Sequence, residues 1–180
     1  MKKRFASLNR ENIQNIFLKL DAYFLKKKKK IQVTTLGGVA ILMLGFIERS
    51  TYDIDVAVTK DTEVFLNACE ELEVEAQAVS IAMTVDFNDA KKQKIFKGKA
   101  LTIFSVLPKD LIKLKLERFR KQDPEDIYAI IKKTRLSFEE FSQLVKEGVS
   151  YFVGRPQEYL LNASVVVEQM WPDCLKKFLK

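Results

Sequence analysis

The chain contains no histidine. This absence excludes a Ser-His-Asp or Cys-His catalytic group, a histidine-ligated zinc site and a histidine general base. Cysteine is scarce as well, since Cys69 and Cys174 lie far apart and form no Cys-x-x-Cys motif. We therefore expect two free thiols in a reducing compartment, which is consistent with a cytoplasmic protein. Carboxylates and lysines remain as the groups able to perform chemistry.

Long apolar runs are also missing. The longest one, over residues 39–47, falls far short of the roughly 20 residues that cross a bilayer. The basic start, Met-Lys-Lys-Arg, is followed by polar residues where a signal peptide needs an apolar segment of about 7 to 15 residues. The sequence therefore predicts a soluble protein that is neither secreted nor bound to a membrane.

The composition is that of a folded domain with a basic surface. A length of 180 residues with 47% hydrophobic content suits one domain, or a compact domain with a small helical extension. The net charge of +7 favours polyanionic partners such as RNA or nucleotides. Residues 26–30 are five consecutive lysines, for which both a solvated helix end and a nucleic-acid contact are open interpretations.

Hydrophobic periodicity divides the first part of the chain into alternating helices and strands. The predicted elements are a helix over residues 8–25 capped by Asn9, a strand over 31–36, a helix over 39–45, a strand over 53–58, a helix over 62–72 capped by Asp61, and strands over 79–87 and 100–106. This order indicates an α/β arrangement.

From Pro108 onward every predicted element is a helix. These helices start at Pro108, cover residues 125–133, begin again at the capping box Ser137 to Glu140, and after a break at Gly154 and Pro156 cover 157–169 and 172–179. We expect a mixed sheet flanked by helices, followed by an α-helical C-terminal region. The soft boundary lies between an α/β domain over 1–107 and a helical region over 108–180, and one compact unit is also possible.

The chemistry is concentrated in residues 36–58, LGGVAILMLGFIERSTYDIDVAV. Gly37 and Gly38 open a short apolar helix, where free backbone N–H groups favour phosphate. Asp53 and Asp55 alternate with aliphatic residues, so a strand would place both carboxylates on one face, about 7 Å apart. Two like charges at that spacing repel unless a cation lies between them, and Mg²⁺ prefers oxygen ligands. A solvated strand edge and a simple Gly-Gly turn are the alternatives.

This order of motifs resembles the nucleotidyltransferase superfamily, whose signature is Gly-Gly or Gly-Ser, a spacer, and then Asp-x-Asp or Asp-x-Glu. More closely, GGVAILMLGFIERSTYDIDVAV is similar to the bacterial abortive-infection (AbiEii-type) toxin nucleotidyltransferases. Their Arg-x-Thr-x-Asp-x-Asp segment is matched by Arg49, Thr51, Asp53 and Asp55. The resemblance implies a nucleotidyltransferase-like sheet, with Gly37, Gly38, Arg49 and Thr51 as nucleotide-binding residues.

The resemblance also implies a third carboxylate from a strand beside the Asp-x-Asp strand. Asp86 is the candidate, because alternation in residues 79–87 places it on the polar face, and Asp89 is its rival. Farther on, DLIKLKLERFRKQDPEDIYAII is similar to a Lys-Leu, Arg and Asp-x-x-Asp pattern of the AbiEii-type proteins. The matching residues are Lys115, Arg118 or Arg120, and Asp123 with Asp126. Lys115 is the candidate ligand of triphosphate oxygens, and an exposed lysine on an amphipathic helix is the alternative.

The function implied is transfer of a nucleoside monophosphate from a nucleoside triphosphate to an acceptor hydroxyl of RNA, such as tRNA, or of a protein. Asp53, Asp55 and Asp86 are then the catalytic and metal-binding residues for Mg²⁺ or Mn²⁺. An antitoxin is an expected partner if the protein is toxin-like. The alternative is a catalytically silent module of the same fold that binds nucleotide, RNA or a protein. A third possibility, a basic RNA-binding protein with an incidental Asp-x-Asp, lacks the aromatic-rich strand motifs of single-strand RNA readers.

Overall fold

The computed structural model describes residues 7–151 and 156–180, and the chain forms two compact units. The first unit contains residues up to 81 together with 91–107. The second contains residues 82–90 together with 108–180. The basic start of the chain and the predicted break at Gly154 lie outside the described residues.

The first unit is built on a five-stranded mixed sheet. Its strands are β1 (Ile31–Thr35), β2 (Ile54–Ala57), β3 (Ala76–Val79), β4 (Lys92–Lys97) and β5 (Leu101–Val106), in the order β3-β2-β1-β5-β4. The pairs β1/β5 and β2/β3 are parallel, whereas β1/β2 and β4/β5 are antiparallel. The predicted mixed α/β sheet is therefore confirmed.

Three helices complete the first unit: α1 (Arg10–Lys26), α2 (Gly37–Met43) and α3 (Thr62–Glu71). The predicted Asn9 cap of α1 is present, since its side chain accepts a hydrogen bond from the Asn12 N–H at 2.8 Å. The buried face of α1 consists of Ile13, Phe17, Leu20 and Phe24. These residues share one core with Ile54 and Val56 of β2 and with Leu101 and Ile103 of β5.

The third predicted strand is wrong in its position. Residues 80–90 contain no strand, and the neighbour of β2 is instead the shorter β3. The lysine-rich β4 was missed. Asp61 stands at the N-cap position of α3, but its side chain does not cap the helix: it accepts a hydrogen bond from the Gln32 N–H at 2.9 Å.

The second unit contains the helical C-terminal region that the sequence predicts. Its helices are α4 (Pro108–Arg118), α5 (Asp123–Thr134), α6 (Phe138–Tyr151), α7 (Pro156–Met170) and, after a 3₁₀ turn over Pro172–Cys174, the short α8 (Leu175–Phe178). The capping box is observed: the Glu140 N–H donates to Ser137 Oγ and the Ser137 N–H donates to Glu140 Oε2, both at 3.1 Å. Within the described ranges, no helix has the length and apolar character needed to cross a bilayer.

Candidate functional site

Asp53 and Asp55 lie on the side of the sheet opposite the helical core. Asp55 belongs to β2, and Asp53 immediately precedes this strand. Because side chains alternate along a strand, the two carboxylates share one face while Ile54 and Val56 point into the core. Asp55 is only 8% exposed. A nearly buried carboxylate needs polar partners, and the neighbouring strand supplies them.

Gln77 of β3 bridges the two carboxylates. It stands directly opposite Asp55 in the parallel pairing of β2 and β3. Its Nε2 atom donates to Asp53 Oδ2 at 2.8 Å and to Asp55 Oδ1 at 2.7 Å. One amide NH₂ group therefore lies between the carboxylates, at the position where the sequence predicts a cation. Its two N–H bonds oppose the repulsion between the acids.

Gly37 and Gly38 allow the start of α2 to approach this strand closely. The Leu36 N–H donates to the Asp55 carbonyl oxygen at 2.9 Å. Gly37 has a φ of +58°, and a Cβ at this position would collide with the Asp55 carboxylate. A Cβ on Gly38 would lie 2.5 Å from Thr51 Oγ1. Each glycine thus makes room for one residue of the predicted site.

Thr51 is held in place by a short antiparallel bridge to Leu8. The Leu8 N–H donates to the Thr51 carbonyl oxygen at 2.6 Å, and the Thr51 N–H donates to the Leu8 carbonyl oxygen at 2.9 Å. Arg49 is half-buried in the same loop, and its Nη1 atom donates to the Ser50 carbonyl oxygen at 3.4 Å. The first unit therefore brings together Gly37, Gly38, Thr51, Asp53 and Asp55.

The donors of this group fit a hard divalent cation in kind. Carboxylate oxygens suit Mg²⁺ or Mn²⁺, and rotation of the Gln77 amide would present its Oε1 atom in place of Nε2. Within residues 7–151 and 156–180, no three acidic, cysteine or histidine side chains are grouped so as to hold a metal ion. The carboxylate pair thus supplies part of a metal site.

Lys115 lies in the second unit, in a buried ionic cluster. Its Nζ atom is 2.7 Å from Asp123 Oδ1 and 2.7 Å from Asp126 Oδ2, and all three side chains are at most 4% exposed. Arg118 Nε donates to Asp123 Oδ2 at 3.1 Å, and the Arg120 N–H donates to the same oxygen at 2.7 Å. The structure thus joins the residues of the second motif. Both partners of the lysine are carboxylates, so a triphosphate would have to displace them.

The two candidates for the third carboxylate lie in the loop over residues 82–90. Asp86 is exposed, and its Oδ1 atom accepts a hydrogen bond from the Asn88 N–H at 2.8 Å; Asp89 is exposed as well. Strand parity therefore no longer distinguishes Asp86 from Asp89. The loop itself is anchored by Glu117 of α4, whose carboxylate accepts the N–H groups of Met83 and Thr84 at 3.0 to 3.2 Å.

Comparison with known proteins identifies the family. A family model described as "Nucleotidyltransferase of unknown function (DUF6036)" matches residues 11–178. The chain belongs to this nucleotidyltransferase family. No curated protein and no solved structure matches it in the corresponding searches. The nucleotidyltransferase resemblance is thus confirmed, and the likeness to AbiEii-type proteins stays a prediction.

Sequence reasoning on this nucleotidyltransferase-family chain missed two polar side chains. Gln77 was overlooked because residues 76–79 carry no alternation of large apolar residues, so β3 has no local signal. Glu117 was overlooked because its partners lie more than 30 residues away, in the loop where Thr84 Oγ1 also donates to it at 2.9 Å. Both residues act on segments distant in sequence, and a single sequence contains no record of that pairing.

Proposed function

We propose that the protein transfers a nucleoside monophosphate from a nucleoside triphosphate to an acceptor hydroxyl, with Mg²⁺ or Mn²⁺ bound by Asp53 and Asp55. The observation that carries the proposal is the hydrogen bonding of both carboxylates to one amide nitrogen, that of Gln77. That nitrogen marks a position from which a single small cation reaches an oxygen of each acid. Membership of the nucleotidyltransferase family supports the reaction class.

Asp53 and Asp55 would hold the metal after the Gln77 amide turns away or presents its oxygen. When bound, the metal neutralises phosphate charge and stabilises the attacking and leaving oxygens. The acceptor oxygen bonds to the α-phosphorus as the bond to pyrophosphate breaks. The acceptor's proton passes to a carboxylate, for which we propose Asp86, with Asp89 as the alternative.

The nucleotide would be bound by the residues packed around the carboxylates. Gly37 and Gly38 would act through their backbone, because the absence of a Cβ at both positions brings the start of α2 against Asp55 and Thr51. Thr51 offers a hydroxyl and Arg49 a guanidinium to the phosphates. Lys115 contributes only if a phosphate displaces one of its carboxylate partners.

We propose RNA, including tRNA, or a protein as the source of the acceptor hydroxyl. The similarity of residues 36–58 to AbiEii-type proteins supports a toxin-like role with an antitoxin partner. The second candidate function is a binding module without turnover. One observation favours it: both carboxylates accept a hydrogen bond from a side chain of the protein itself, the Gln77 amide.

Two measurements test the proposed function. Mg²⁺ with a nucleoside triphosphate should stabilise the protein by about 2.7 kcal/mol when the free ligand is a hundredfold above its dissociation constant. Asp53→Asn should abolish this stabilisation, whereas Asp173→Asn, which removes the same charge in the 3₁₀ turn, should keep it. An unchanged stabilisation in Asp53→Asn contradicts the metal assignment.

Turnover is tested separately with α-phosphate-labelled nucleotides. The protein is incubated with each labelled triphosphate, Mg²⁺ or Mn²⁺, and total cellular RNA or protein. The transferase predicts label in an acceptor and its loss in Asp55→Asn. Asp86→Asn and Asp89→Asn, compared side by side, identify which loop carboxylate is required. Tight nucleotide binding without labelling of any acceptor would support the binding module.

A further inference from the structure

Seven lysines form one exposed surface on the first unit. We call it the lysine patch; it consists of Lys26, Lys27, Lys28, Lys29, Lys30, Lys97 and Lys99. The five consecutive lysines begin with Lys26, the last residue of α1, and the other two flank Gly98 between β4 and β5. Parallel pairing of Ile31 with Leu101 brings the two segments together, and the Ile31 N–H donates to the Ala100 carbonyl oxygen at 2.8 Å.

Asp21 fixes the position of the turn that carries Lys97 and Lys99. Its carboxylate accepts the backbone N–H groups of Lys99, Ala100 and Leu101 at 3.1, 2.7 and 2.7 Å. A Cβ on Gly98 would collide with this carboxylate. The β4–β5 turn is therefore attached to α1 in one place, and the patch is a defined surface.

The charges of the patch are not paired in salt bridges with the described carboxylates, and the Asp21 carboxylate interacts electrostatically with one of them, Lys99. All seven lysines are exposed, and no carboxylate in the described part of the chain forms a salt bridge with any of them. Lys27 lies over the Tyr23 ring, and the Tyr23 hydroxyl donates to Glu71 at 2.7 Å, which places an acid at the border of the patch. Lys28 has a φ of +54°, a backbone conformation that residues with a Cβ rarely adopt. The patch therefore combines seven like charges with one strained backbone position, Lys28.

We propose that the lysine patch binds the phosphate backbone of nucleic acid, independently of base sequence. Seven lysines exceed what one phosphate or one nucleotide can contact, so the patch fits a polymer with repeated negative charge. A membrane surface fits less well, because adsorbed helices also insert apolar side chains. Of the apolar neighbours of these lysines in the chain, Ile31 and Leu101 are buried and Leu25 is half exposed.

This surface goes beyond the proposed transferase. The patch lies at the start of β1, whereas Thr35 at the end of β1 donates its hydroxyl to the Asp55 carbonyl oxygen. The five residues of β1 separate the two by about 13 to 17 Å at a strand rise of roughly 3.3 Å per residue. Nucleic acid bound at the patch therefore needs neither metal nor triphosphate.

The test measures binding of a fluorescein-labelled 20-nucleotide single-stranded RNA of mixed sequence, in EDTA and without triphosphate, from 50 to 200 mM KCl. The patch variant carries Lys26→Gln, Lys29→Gln and Lys30→Gln. The control variant carries Lys132→Gln, Lys146→Gln and Lys176→Gln, three exposed lysines of the second unit. Both variants lose three positive charges, and thermal unfolding followed by circular dichroism checks that each is folded.

The slope of log affinity against log salt should be shallower by about 2 in the patch variant than in wild type. Each of the three lost lysine–phosphate contacts reduces the slope by roughly 0.7. Over the fourfold salt range, wild type should then lose about 16-fold more affinity than the patch variant. The control variant should behave as wild type. Because the assay contains EDTA and no triphosphate, its outcome does not depend on the proposed transferase. The inference is overturned if the two lysine variants have equal slopes or if wild type does not bind RNA at 50 mM KCl. It is also overturned if the protein binds only to vesicles containing phosphatidylserine.

Discussion

Replacing Lys115 by methionine should strongly destabilise the protein. The change removes an ammonium that lies 2.7 Å from both Asp123 and Asp126 and keeps a side chain of similar length. The two carboxylates are 2% and 0% exposed, so they would remain buried without their cation. Removing one partner of a buried ion pair typically costs about 3–5 kcal/mol. For a chain of this length, this loss lowers the melting temperature by about 6–20 °C.

Urea unfolding followed by circular dichroism measures this loss. Lys109→Met is the control, because Lys109 lies on α4 like Lys115 but its side chain is 56% exposed. Its partner is Glu140 of α6, at 3.2 Å, and an exposed ion pair is worth at most about 1 kcal/mol. Adding Asp123→Asn and Asp126→Asn to Lys115→Met should recover part of the stability, since the buried charges are then removed. A loss below about 1 kcal/mol in Lys115→Met would refute the structural role. Weaker triphosphate binding at unchanged stability would instead establish Lys115 as a phosphate ligand.

The same cluster gives a pH dependence with a defined sign. Burial alone raises the pKa of the Asp123 carboxyl, but the Lys115 ammonium, the Arg118 guanidinium and the Arg120 N–H outweigh it, and the pKa is lowered. A lowered pKa means that the stabilisation is present above the unfolded value of about 3.9 and is lost as pH falls through the folded pKa. Lys115→Met should therefore flatten the acid limb of the stability curve. An acid limb as steep as that of wild type would contradict this assignment.

Three further changes test other contacts. Gly38→Ala should destabilise the protein by about 1–3 kcal/mol, because the new Cβ overlaps Thr51. Adding Thr51→Ala should restore part of this stability in urea titrations, and additive losses would contradict the close approach of Gly38 to Thr51. Burial raises the pKa of the Asp21 carboxyl, but the backbone N–H groups of residues 99–101 outweigh burial, and the pKa is lowered. Asp21→Asn should therefore reduce the free energy of unfolding at pH 7 and have no effect in acid. Burial raises the pKa of the Cys69 thiol to about 12, so native protein at pH 8 should react slowly with a thiol reagent at this residue and readily after denaturation.

The helices were predictable because their signals are local. In α1, apolar residues recur at Ile13, Phe17, Leu20 and Phe24, and Asn9 marks the start. The same holds for the capping box before α6, where the interacting residues stand three apart. The pairing of Gly37 with the Asp53–Asp55 strand was recognisable as a motif, and its residues meet in the first unit.

The prediction of the third strand was wrong because the segment is held by a residue distant in sequence. Alternation over residues 79–87 mimics a strand, yet Thr84 and Val85 are buried in a loop whose backbone N–H groups at Met83 and Thr84 are satisfied by Glu117. Conversely, β3 and β4 have little intrinsic strand character and form because β2 and β5 offer them hydrogen-bonding edges. The Gln77 bridge depends on the register of β2 with β3, which no local pattern determines.

The parallel pairing of β1 with β5 has a consequence for the protein during its synthesis. Ile31 and Leu101 are 70 residues apart, which a ribosome adding about 5–20 residues per second covers in roughly 4–14 s. Throughout that interval β1 has an edge with unpaired N–H and C=O groups, because the strand that covers it has not yet been made. Open edges attract other chains. Nascent chains that stall before residue 101 are therefore the ones we expect to require a chaperone.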